Sequence, residues 1–386
     1  MHTRVVVLGD LSADELERWK SLSARAIEPN PFMDPRLLSP NGHPHADGIE
    51  TRLLIVEERG VFLAVMAFQL ADRRIRGLPM HVVMSSTSFL FNVTARHYPL
   101  VDATRPVDAV EGLLHGLRAH GLPGLLDLIS VPKNSPLEHA FFAAAASMRI
   151  PVVERGQLDY AYCRRSDAEV SPELQSATKN SSGLRVAGLK MNHLSTSTAK
   201  RYRHRYHALE RHTGGAVTMT DRSDDPAAIE EFLELQAAGW KGRPDRGGGA
   251  LRIVGYDAWF VETTTAFRAD NDLSVFSLGS EMGTLYMAVA LRSGGGLFGA
   301  QDAYDENFAQ FSTGALGRLA TLEYTMSNTT ASFFDPNMHP KYVQSTQLYP
   351  DRRTYSTLLL ATHGGLSTAV ARSIPALRRL RDRIVR

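Results

Sequence analysis

The sequence of 386 residues contains one cysteine, Cys163, and no apolar run long enough to cross a membrane. A single thiol excludes an internal disulfide framework and any metal site built from several cysteines. A membrane-spanning helix needs about 18 or more apolar residues. The N-terminal apolar run, residues 5–8, is also too short for a signal peptide. We therefore expect a soluble, cytoplasmic protein.

Three common signatures of catalytic or cofactor sites are missing as well. The histidines are scattered without metal-ligand spacing, so no metal site is predicted. Gly-x-Ser-x-Gly, the nucleophile motif of α/β-hydrolases, does not occur. The glycines at 294–296 lack the spacing and the following helix of a dinucleotide fingerprint.

Charge and composition are those of an ordinary globular protein. Lysine and arginine total 43 residues against 41 aspartate and glutamate, which argues against nucleic-acid binding over the whole surface. Apolar residues make up 43% and charged residues 22%, so wholesale disorder is excluded. The length fits two or three domains.

Helices and strands alternate in two halves with the same layout, which predicts an α/β (α+β) fold. Each half has a helix, adjacent strands, a further helix and a strand. The stretch at 167–188 is rich in Ser, Asn and Gly and poor in large apolar residues. The predicted organisation is two units, at 1–166 and 189–362, a linker at 167–188, and a basic amphipathic helix at 363–386.

The segment 298–316 is the most informative for chemistry. It predicts a strand, a polar loop, and a helix that starts at Ser312-Thr313-Gly314. A hydroxyl cap and bare amides at the positive end of a helix form an anion site, suited to a pyrophosphate. An ordinary capped helix is the alternative interpretation.

This segment resembles the Tyr-Asp…Ser-Pro-Gly segment of the CelD-like (cellulose-biosynthesis-type) acyltransferases of the GNAT superfamily, relatives of the Fem-type aminoacyl transferases. The resemblance covers about 190–360, and Thr313 replaces the usual proline. Further matching landmarks, in chain order, are Arg201 to Arg205, Trp240-Lys241, Phe333-Phe334-Asp335 and Lys341. The family's glycine-containing turn is replaced at 335–341, which puts acceptor binding in doubt.

The resemblance implies two tandem GNAT-like units, each a mixed, mostly antiparallel twisted sheet flanked by helices, with the first unit degenerate. It implies transfer from acyl-CoA or acetyl-CoA to an amine or hydroxyl of a small molecule, sugar or cell-envelope precursor. Two alternatives stay open: Fem-type transfer from aminoacyl-tRNA, and a non-catalytic GNAT-fold scaffold in an envelope pathway.

The resemblance also implies site residues for the donor. The thioester carbonyl would be held near the end of the central strand, and the pyrophosphate at the following helix start. The donor-binding candidates are Ala300, Gln301, Ala303, Ser312, Thr313, Gly314 and Ala315.

The acceptor must lose a proton to a base within hydrogen-bond reach. Asp302, Asp335 and His339 are the candidates, and Tyr304 is the candidate donor of a proton to the leaving thiolate. The candidate substrate-binding residues are Trp240 and Lys241, in a loop with flexible glycines, together with Arg205 and Lys341. A turn-capping or packing role is the alternative for each.

Two basic segments predict anionic partners. The helix at 195–212 has a cationic face, which tRNA would meet only in the aminoacyl-tRNA alternative, and nucleic acid is otherwise not expected. The segment 367–386 has an apolar stripe and six arginines, which suits peripheral contact with the inner membrane face and a glycolipid acceptor. Packing of this helix against the N-terminal unit is the alternative.

Overall fold

The structure is a computed structural model that describes residues 1–40, 51–75, 77–165 and 183–373. The chain divides into two compact units. The described residues of Met1–Ser39, His45–Asp159 and Arg353–Arg386 form the first unit, and those of Pro40–Pro44 and Tyr160–Arg352 form the second. Among all these residues, no helix is both long and apolar enough to cross a bilayer.

The first unit is a mostly antiparallel sheet flanked by helices. Its strand order is β1-β2-β3-β4-β6-β14-β7, and β5 pairs with β3. The strands are β1 (His2–Val7), β2 (Arg52–Glu58), β3 (Val61–Ile75), β4 (Leu78–Met84), β5 (Leu100–Val101), β6 (Leu125–Pro132), β7 (Val152–Arg164) and β14 (Asp351–Ala361). The helices are α1 (Ala13–Ala24), α2 (Pro35–Leu38), α3 (Ser88–Val93), α4 (Pro106–Ala119) and α5 (Pro136–Ser147). Strands β4 and β6 run parallel, and α4 connects them.

The second unit repeats this layout with the strand order β7-β13-β12-β11-β10-β9-β8. Strand β7 enters it with its last residues, 160–164. The other strands are β8 (Leu184–Arg185), β9 (Thr218–Asp221), β10 (Leu273–Ser280), β11 (Gly283–Ser293), β12 (Gly296–Tyr304) and β13 (Phe333–Asp335). The helices are α6 (Thr196–Thr213), α7 (Ala227–Ala238), α8 (Asp257–Ala269), α9 (Thr313–Asn328) and α10 (Val343–Thr346). Here β12 and β13 run parallel, connected by α9. The predicted mixed α/β fold is confirmed.

Four helices begin in the way their sequence dictates. A Ser or Thr hydroxyl accepts a hydrogen bond from the amide three residues later at the start of α1, α3, α5 and α6, and these capping residues are Ser12, Thr87, Ser135 and Ser195. Such caps satisfy amides that have no partner within the helix. Helix α9 is different: its capping residue, Ser312, is left-handed (φ 59°) and makes no side-chain cap.

Helix α9 packs directly on the sheet of the second unit. A Cβ atom at Gly317 would lie 2.2 Å from the ring of Tyr286 on β11, so only glycine allows this approach. Leu316 and Leu319 are buried beside it in the same apolar cluster. Replacing a buried leucine of this kind by alanine costs about 2–5 kcal/mol. The packing of the helix on the sheet therefore fixes the position of its first turn relative to β12.

The observed division of the chain differs from the predicted bounds at the C-terminal side. The sequence placed 189–362 in one unit, whereas the described chain from Arg353 onward belongs to the first unit. The reason is strand pairing, because β14 lies beside β6 from Tyr355 to Ala361. Of the predicted linker, 167–182 lies outside the described residues, and 184–185 form β8, which pairs with β9.

The start of the predicted basic C-terminal helix packs within the first unit. Residues 366–373 are helical, and Val370 and Ala371 are buried against Val82 and Leu359. The rest of the segment, 374–386, which carries five of its six arginines, lies outside the described residues.

Candidate active site

Strand β12 loses one neighbour part of the way along its length. Strand β13 runs beside it only as far as the pair Phe298 and Asp335. Beyond that pair, the described part of the chain has no strand on this side of β12. The strand is buried up to Phe298, and residues 299–302 are partly exposed. A stretch of central-strand backbone is therefore open to a ligand.

A β-bulge lies at the start of this open stretch. Val289 on β11 pairs with Gln301, but the next residue, Ala290, pairs with Gly299, so Ala300 is the extra residue. Bulges of this kind bend a strand and are common beside active sites. Ala300 and Gln301, two of the predicted donor-binding residues, thus lie in the open stretch. Ala303, by contrast, is buried.

The main chain of Asp302 points into the gap beside β12. Further along, the amide of Asp305 donates to the carbonyl of Leu285 at 2.9 Å, toward β11. Backbone groups alternate between the two sides of an antiparallel strand. Asp302, three residues earlier, therefore directs its N–H and C=O away from β11. Its carbonyl accepts a hydrogen bond from Nζ of Lys241 at 2.7 Å, in agreement with this direction.

The Asp302 side chain is held by two cations. Its Oδ2 accepts a hydrogen bond from Nε of Arg318 at 2.7 Å, and its Oδ1 lies 3.6 Å from Nζ of Lys241. Burial alone would raise the pKa of Asp302, but Arg318 and Lys241 outweigh it and lower the pKa to about 2. A carboxylate this acidic is a poor proton acceptor at neutral pH, so the geometry favours a positioning role over the predicted role as base.

The first turn of α9 is built by the backbone rather than by hydroxyl caps. Amides of Ala315 and Leu316 donate to the carbonyl of Ser312, and the Thr313 hydroxyl donates to the carbonyl of Phe308 at 2.7 Å. The predicted hydroxyl cap is therefore wrong: the Thr313 hydroxyl is bound to Phe308, and the Ser312 side chain accepts no hydrogen bond from the helix. The amides of Thr313 and Gly314 come before the first bonds within the helix, and both residues are buried.

Tyr304 links the end of β12 to the start of α9. A Cβ atom at Gly314 would lie 2.9 Å from Cδ1 of the Tyr304 ring. The absence of a side chain at Gly314 thus serves this packing contact. The two predicted donor-binding segments are held together by the same contact.

The loop after β13 carries the other predicted acid–base residues. Asp335 is buried, and its Oδ1 accepts a hydrogen bond from the amide of Asn337 at 2.8 Å. His339 is exposed, and its Nδ1 accepts one from the amide of Lys341 at 3.1 Å. Lys341 is exposed too. This loop begins at the end of β13, where the gap beside β12 opens.

The segment after α7 is anchored on both sides. The amide of Trp240 donates to Oε1 of Glu306 at 2.6 Å, and Arg243 pairs with Oε2 of the same carboxylate. Lys241, between them, reaches Asp302. The indole of Trp240 is 42% exposed. The structure therefore brings Lys241 to the open stretch of β12 and ties the main chain of Trp240 to Glu306, two residues after the end of β12.

Arg205 lies apart from these residues, on α6. It is seven residues before His212 and therefore on the same side of the helix. The His212 ring is 5.1 Å from the ring of Phe311, which precedes Ser312 in the chain. Arg205 thus shares a side of α6 with His212 but lies about two helical turns before it.

Sequence reasoning missed Arg318 and Gln236. Arg318 joins Asp302 to Ser345, whose Oγ accepts from its Nη1 at 3.0 Å. Gln236 is buried, and its Nε2 donates to Oε1 of Gln301 at 3.1 Å. A lone arginine among the apolar residues of α9 was a usable signal for the first. For Gln236, a glutamine near the C-terminal end of α7 was a weaker signal.

Metal ligands do not cluster here: within the part of the chain that the structure describes, no group of three His, Cys, Asp or Glu side chains could hold an ion.

Comparisons with known proteins agree with the fold described above. Residues 196–335 match a family model described as an acetyltransferase (GNAT) domain. This stretch, less than half of the chain, is similar to a GNAT-type acetyltransferase domain, a kind of domain that transferases carry. No curated protein matches it. The finer CelD-like resemblance stays a prediction.

Three solved structures share the fold at 10% identity. FemX matches with a TM-score of 0.54 over 94% of this chain and 97% of that one. A conserved protein of unknown function from Bacteroides thetaiotaomicron matches with 0.55 over 91% and 98%. The C-terminal domain of a putative lysylphosphatidylglycerol synthetase from Agrobacterium fabrum matches with 0.51 over 94% and 95%. At this identity the likeness establishes the fold alone.

Proposed function

We propose that the second unit transfers an acyl group from acyl-CoA, acetyl-CoA being the simplest, to an amine or hydroxyl. The observation that carries this proposal is the open, bulged stretch of β12, in which the amide of Asp302 points into the gap. An amide fixed in advance can stabilise the oxyanion that develops on a thioester carbonyl with little reorganisation.

In the proposed reaction, the acceptor nitrogen or oxygen attacks the thioester carbon, and the carbonyl electron pair moves onto oxygen. The Asp302 amide donates to this oxyanion. When the carbonyl re-forms, the C–S bond breaks, and the thiolate leaves with its electron pair and is then protonated. Tyr304, between β12 and α9, is the proposed donor of that proton.

Lys241 is the proposed positioning residue for the oxyanion donor. Beyond Phe298, β12 has no strand on the gap side among the described residues, so no strand carbonyl or amide there holds its backbone. Nζ of Lys241 supplies a hydrogen bond to the Asp302 carbonyl instead, at 2.7 Å. The peptide that joins Asp302 to Ala303 thereby stays in one orientation, which limits the rotation of the neighbouring peptide that carries the Asp302 amide. The positive charge of Lys241 would lie beside the developing oxyanion.

The first turn of α9 is the proposed site of the donor pyrophosphate, at the amides of Thr313 and Gly314. Helix N-termini favour such anions through their free amides and dipole. The acceptor's proton is proposed to leave through the loop after β13, to Asp335 or His339. Lys341 and Trp240 are the proposed acceptor contacts.

Calorimetric titration of the purified protein with acetyl-CoA and longer acyl-CoAs tests the proposal. We expect a dissociation constant in the micromolar range, and amide shifts at 300–303 and 312–315 in an NMR titration. Binding no tighter than millimolar, with those amides unmoved, would contradict it and would favour a non-catalytic scaffold.

A second candidate, transfer from aminoacyl-tRNA, is favoured by one observation. Helix α6 exposes several arginines, and its His212 ring lies 5.1 Å from Phe311, which precedes the start of α9. Binding of tRNA would weaken steeply with salt because phosphate contacts release counterions. A filter-binding series across salt concentrations separates it from acyl-CoA binding. A glycolipid acceptor and membrane contact through 367–386 are proposed only as secondary features, testable by vesicle flotation of the full chain and of a chain truncated after Arg372.

A further inference from the structure

A buried glutamine of α7 joins two parts of the candidate active site. Gln236 is 2% exposed, and both ends of its side-chain amide form hydrogen bonds. Its Oε1 accepts from the amide of Leu251 at 2.8 Å, and its Nε2 donates to Oε1 of Gln301 at 3.1 Å. Gln301 lies directly after the bulge, in the open stretch of β12. Gln236 thus ties the open stretch to the segment that follows α7.

The amide of Leu251 decides how both glutamine side chains are turned. A main-chain N–H can only donate, so the atom of Gln236 that it meets must be the oxygen. Nε2 of Gln236 is then the donor toward Gln301, and the atom of Gln301 that receives this bond must be Oε1. The opposite orientation of Gln301 would bring two NH2 groups together. A backbone group of another segment therefore determines the orientation of the Gln301 amide.

This orientation leaves the NH2 group of Gln301 free for a ligand. Within the described chain, its Nε2 has no hydrogen-bond partner and is not enclosed. Gln301 itself is partly exposed. A side-chain amide nitrogen offers two hydrogen-bond donors. The open stretch of β12 therefore presents a side-chain donor in addition to the main-chain amide of Asp302.

The Gln301 side chain lies on the face of the sheet opposite to α9. Neighbouring residues of a strand point to opposite faces. Asp302 bonds Arg318 on α9, whereas Gln301 bonds Gln236 on α7. The two donors are nevertheless close, because standard bond lengths keep Nε2 of Gln301 within about 7 Å of the Asp302 amide nitrogen. A ligand at the Asp302 amide is thus within reach of Gln301.

We propose that the NH2 group of Gln301 binds an oxygen atom of the acceptor, and that Gln236 is the positioning residue that keeps this group turned away from α7. The inference rests on the proposed acyl transfer. Because the donor's pyrophosphate is placed on the α9 side, the acceptor is expected on the other face, where the Gln301 side chain lies. The acceptor class is thereby narrowed to amines or alcohols with a further hydroxyl, carbonyl or carboxylate oxygen near the attacking atom.

Steady-state kinetics of Gln301→Glu test the assignment. Acetyl-CoA is the donor, a detergent extract of cells that lack this protein supplies the acceptor, and released CoA thiol is measured against extract dilution. The substitution keeps an oxygen to accept the bond from Gln236 but replaces the NH2 group by a second oxygen. The apparent KM for the extract should rise about tenfold, while the KM for acetyl-CoA stays within about twofold. A merely structural role predicts no change, because the bond to Gln236 is kept.

Gln236→Glu tests the positioning role. The new carboxylate still accepts from Leu251 but cannot donate, so the Gln301 amide should turn over and present Oε1 instead. We expect the same rise in the apparent KM for the extract. Gln69→Glu is the matched control in the first unit: Oε1 of Gln69 accepts from the amide of Ser88 at 2.7 Å, and a carboxylate can replace it. Its kinetics should match wild type, and equal melting temperatures establish that the variants fold.

Each contrary result has a distinct meaning. An unchanged apparent KM for the extract in Gln301→Glu removes the role of the NH2 group, and the proposed acyl transfer stands. A raised KM for acetyl-CoA alone would assign the group to the donor instead. An equal loss in Gln69→Glu would show a general effect of added charge. If the wild type releases no CoA with the extract, transfer to an acceptor and this inference both fail, and binding of acetyl-CoA then decides whether the donor site stands.

Discussion

The two units share a layout and differ at the end of their parallel strand pair. In the first unit, β4 and β6 end their pairing at Met84 and Asp127, and in the second, β12 and β13 end theirs at Phe298 and Asp335. An aspartate thus occupies the same position in both. The space beyond the pair is filled in one unit and open in the other.

In the first unit, polar groups fill the space beyond the end of the parallel strand pair. The amide of Ser85 donates to the Asp127 carbonyl at 3.1 Å, and the Ser85 hydroxyl accepts from the amide of Ile129 at 2.8 Å. The next residue, Ser86, hydrogen-bonds Nδ1 of His97 at 2.8 Å, and both serines are fully buried. At the corresponding place the second unit has the bulge at Ala300 and the side chain of Lys241 instead. The comparison shows that the candidate site depends on backbone groups being left without a strand partner.

The largest expected difference between the units is in their response to acid. Burial, helped by Arg96, lowers the pKa of His97 to about 3 from its ordinary 6.5. Below pH 6.5 the unfolded chain takes up a proton that folded His97 does not bind, so the free energy of unfolding falls as the pH drops toward 3. The loss totals roughly 4 kcal/mol.

Hydrogen exchange measured between pH 7 and pH 4 resolves this loss by unit. Amides of β4 and β6 should lose protection well before those of β12 and β13. His97→Gln should remove the difference, provided its exchange at pH 7 matches wild type. Parallel loss in both units would contradict the assignment to His97.

Next in size is the effect of Lys241 on catalysis. Lys241→Met removes the hydrogen bond to the Asp302 carbonyl, and kcat should fall about 100-fold, as for loss of one oxyanion donor. The KM for acyl-CoA should change little, because the donor pyrophosphate is held elsewhere. Arg243→Gln, which releases the other anchor of the same segment, is the matched control and should retain most of kcat. Rescue by Lys241→Arg supports positioning by a cation, and a raised KM with unchanged kcat would argue against it.

Asp302→Asn should have a smaller effect, since the main chain and Lys241 remain. We expect about 2 kcal/mol less stability and activity within tenfold of wild type. Because the pKa of Asp302 is lowered from 3.8 to about 2, its ionised form stabilises the fold above pH 4, and this contribution is lost as the pH falls toward 2. Urea unfolding across that range should show a steeper decline in wild type than in the variant. A loss of activity of more than about 100-fold, with the acidic limb missing from the pH–rate profile of the residual activity, would restore Asp302 as the base.

The smallest effect is expected at the corresponding position of the first unit. Ser86→Ala removes the bond to His97 and should cost about 1 kcal/mol of stability. Activity and CoA affinity should match wild type, since this polar cluster belongs to the filled position. A drop in kcat would show that the first unit takes part in the reaction.

Much of the second unit was predictable. Its helices and strands follow from hydrophobic periodicity, and the start of α9 at Ser312-Thr313-Gly314 and the place of Trp240-Lys241 after α7 were both anticipated. Each of these depends on neighbours within a few residues. The bulge at Ala300 was not predictable from the sequence, because it arises from the register between two strands. The ion pair of Asp302 with Arg318 was not predictable either, because the two residues are 16 positions apart.

Local patterns in the sequence were thus enough to establish the order of the elements, the fold class and the polar segments that border the site. Which polar groups act together, and which aspartate is held ionised, depended on the folded chain. So did the place of β14, which comes late in the chain and completes the first unit. The physical reason is that periodicity and capping are local, whereas strand pairing, burial and the pKa of a carboxylate depend on groups that only folding brings within a few ångströms.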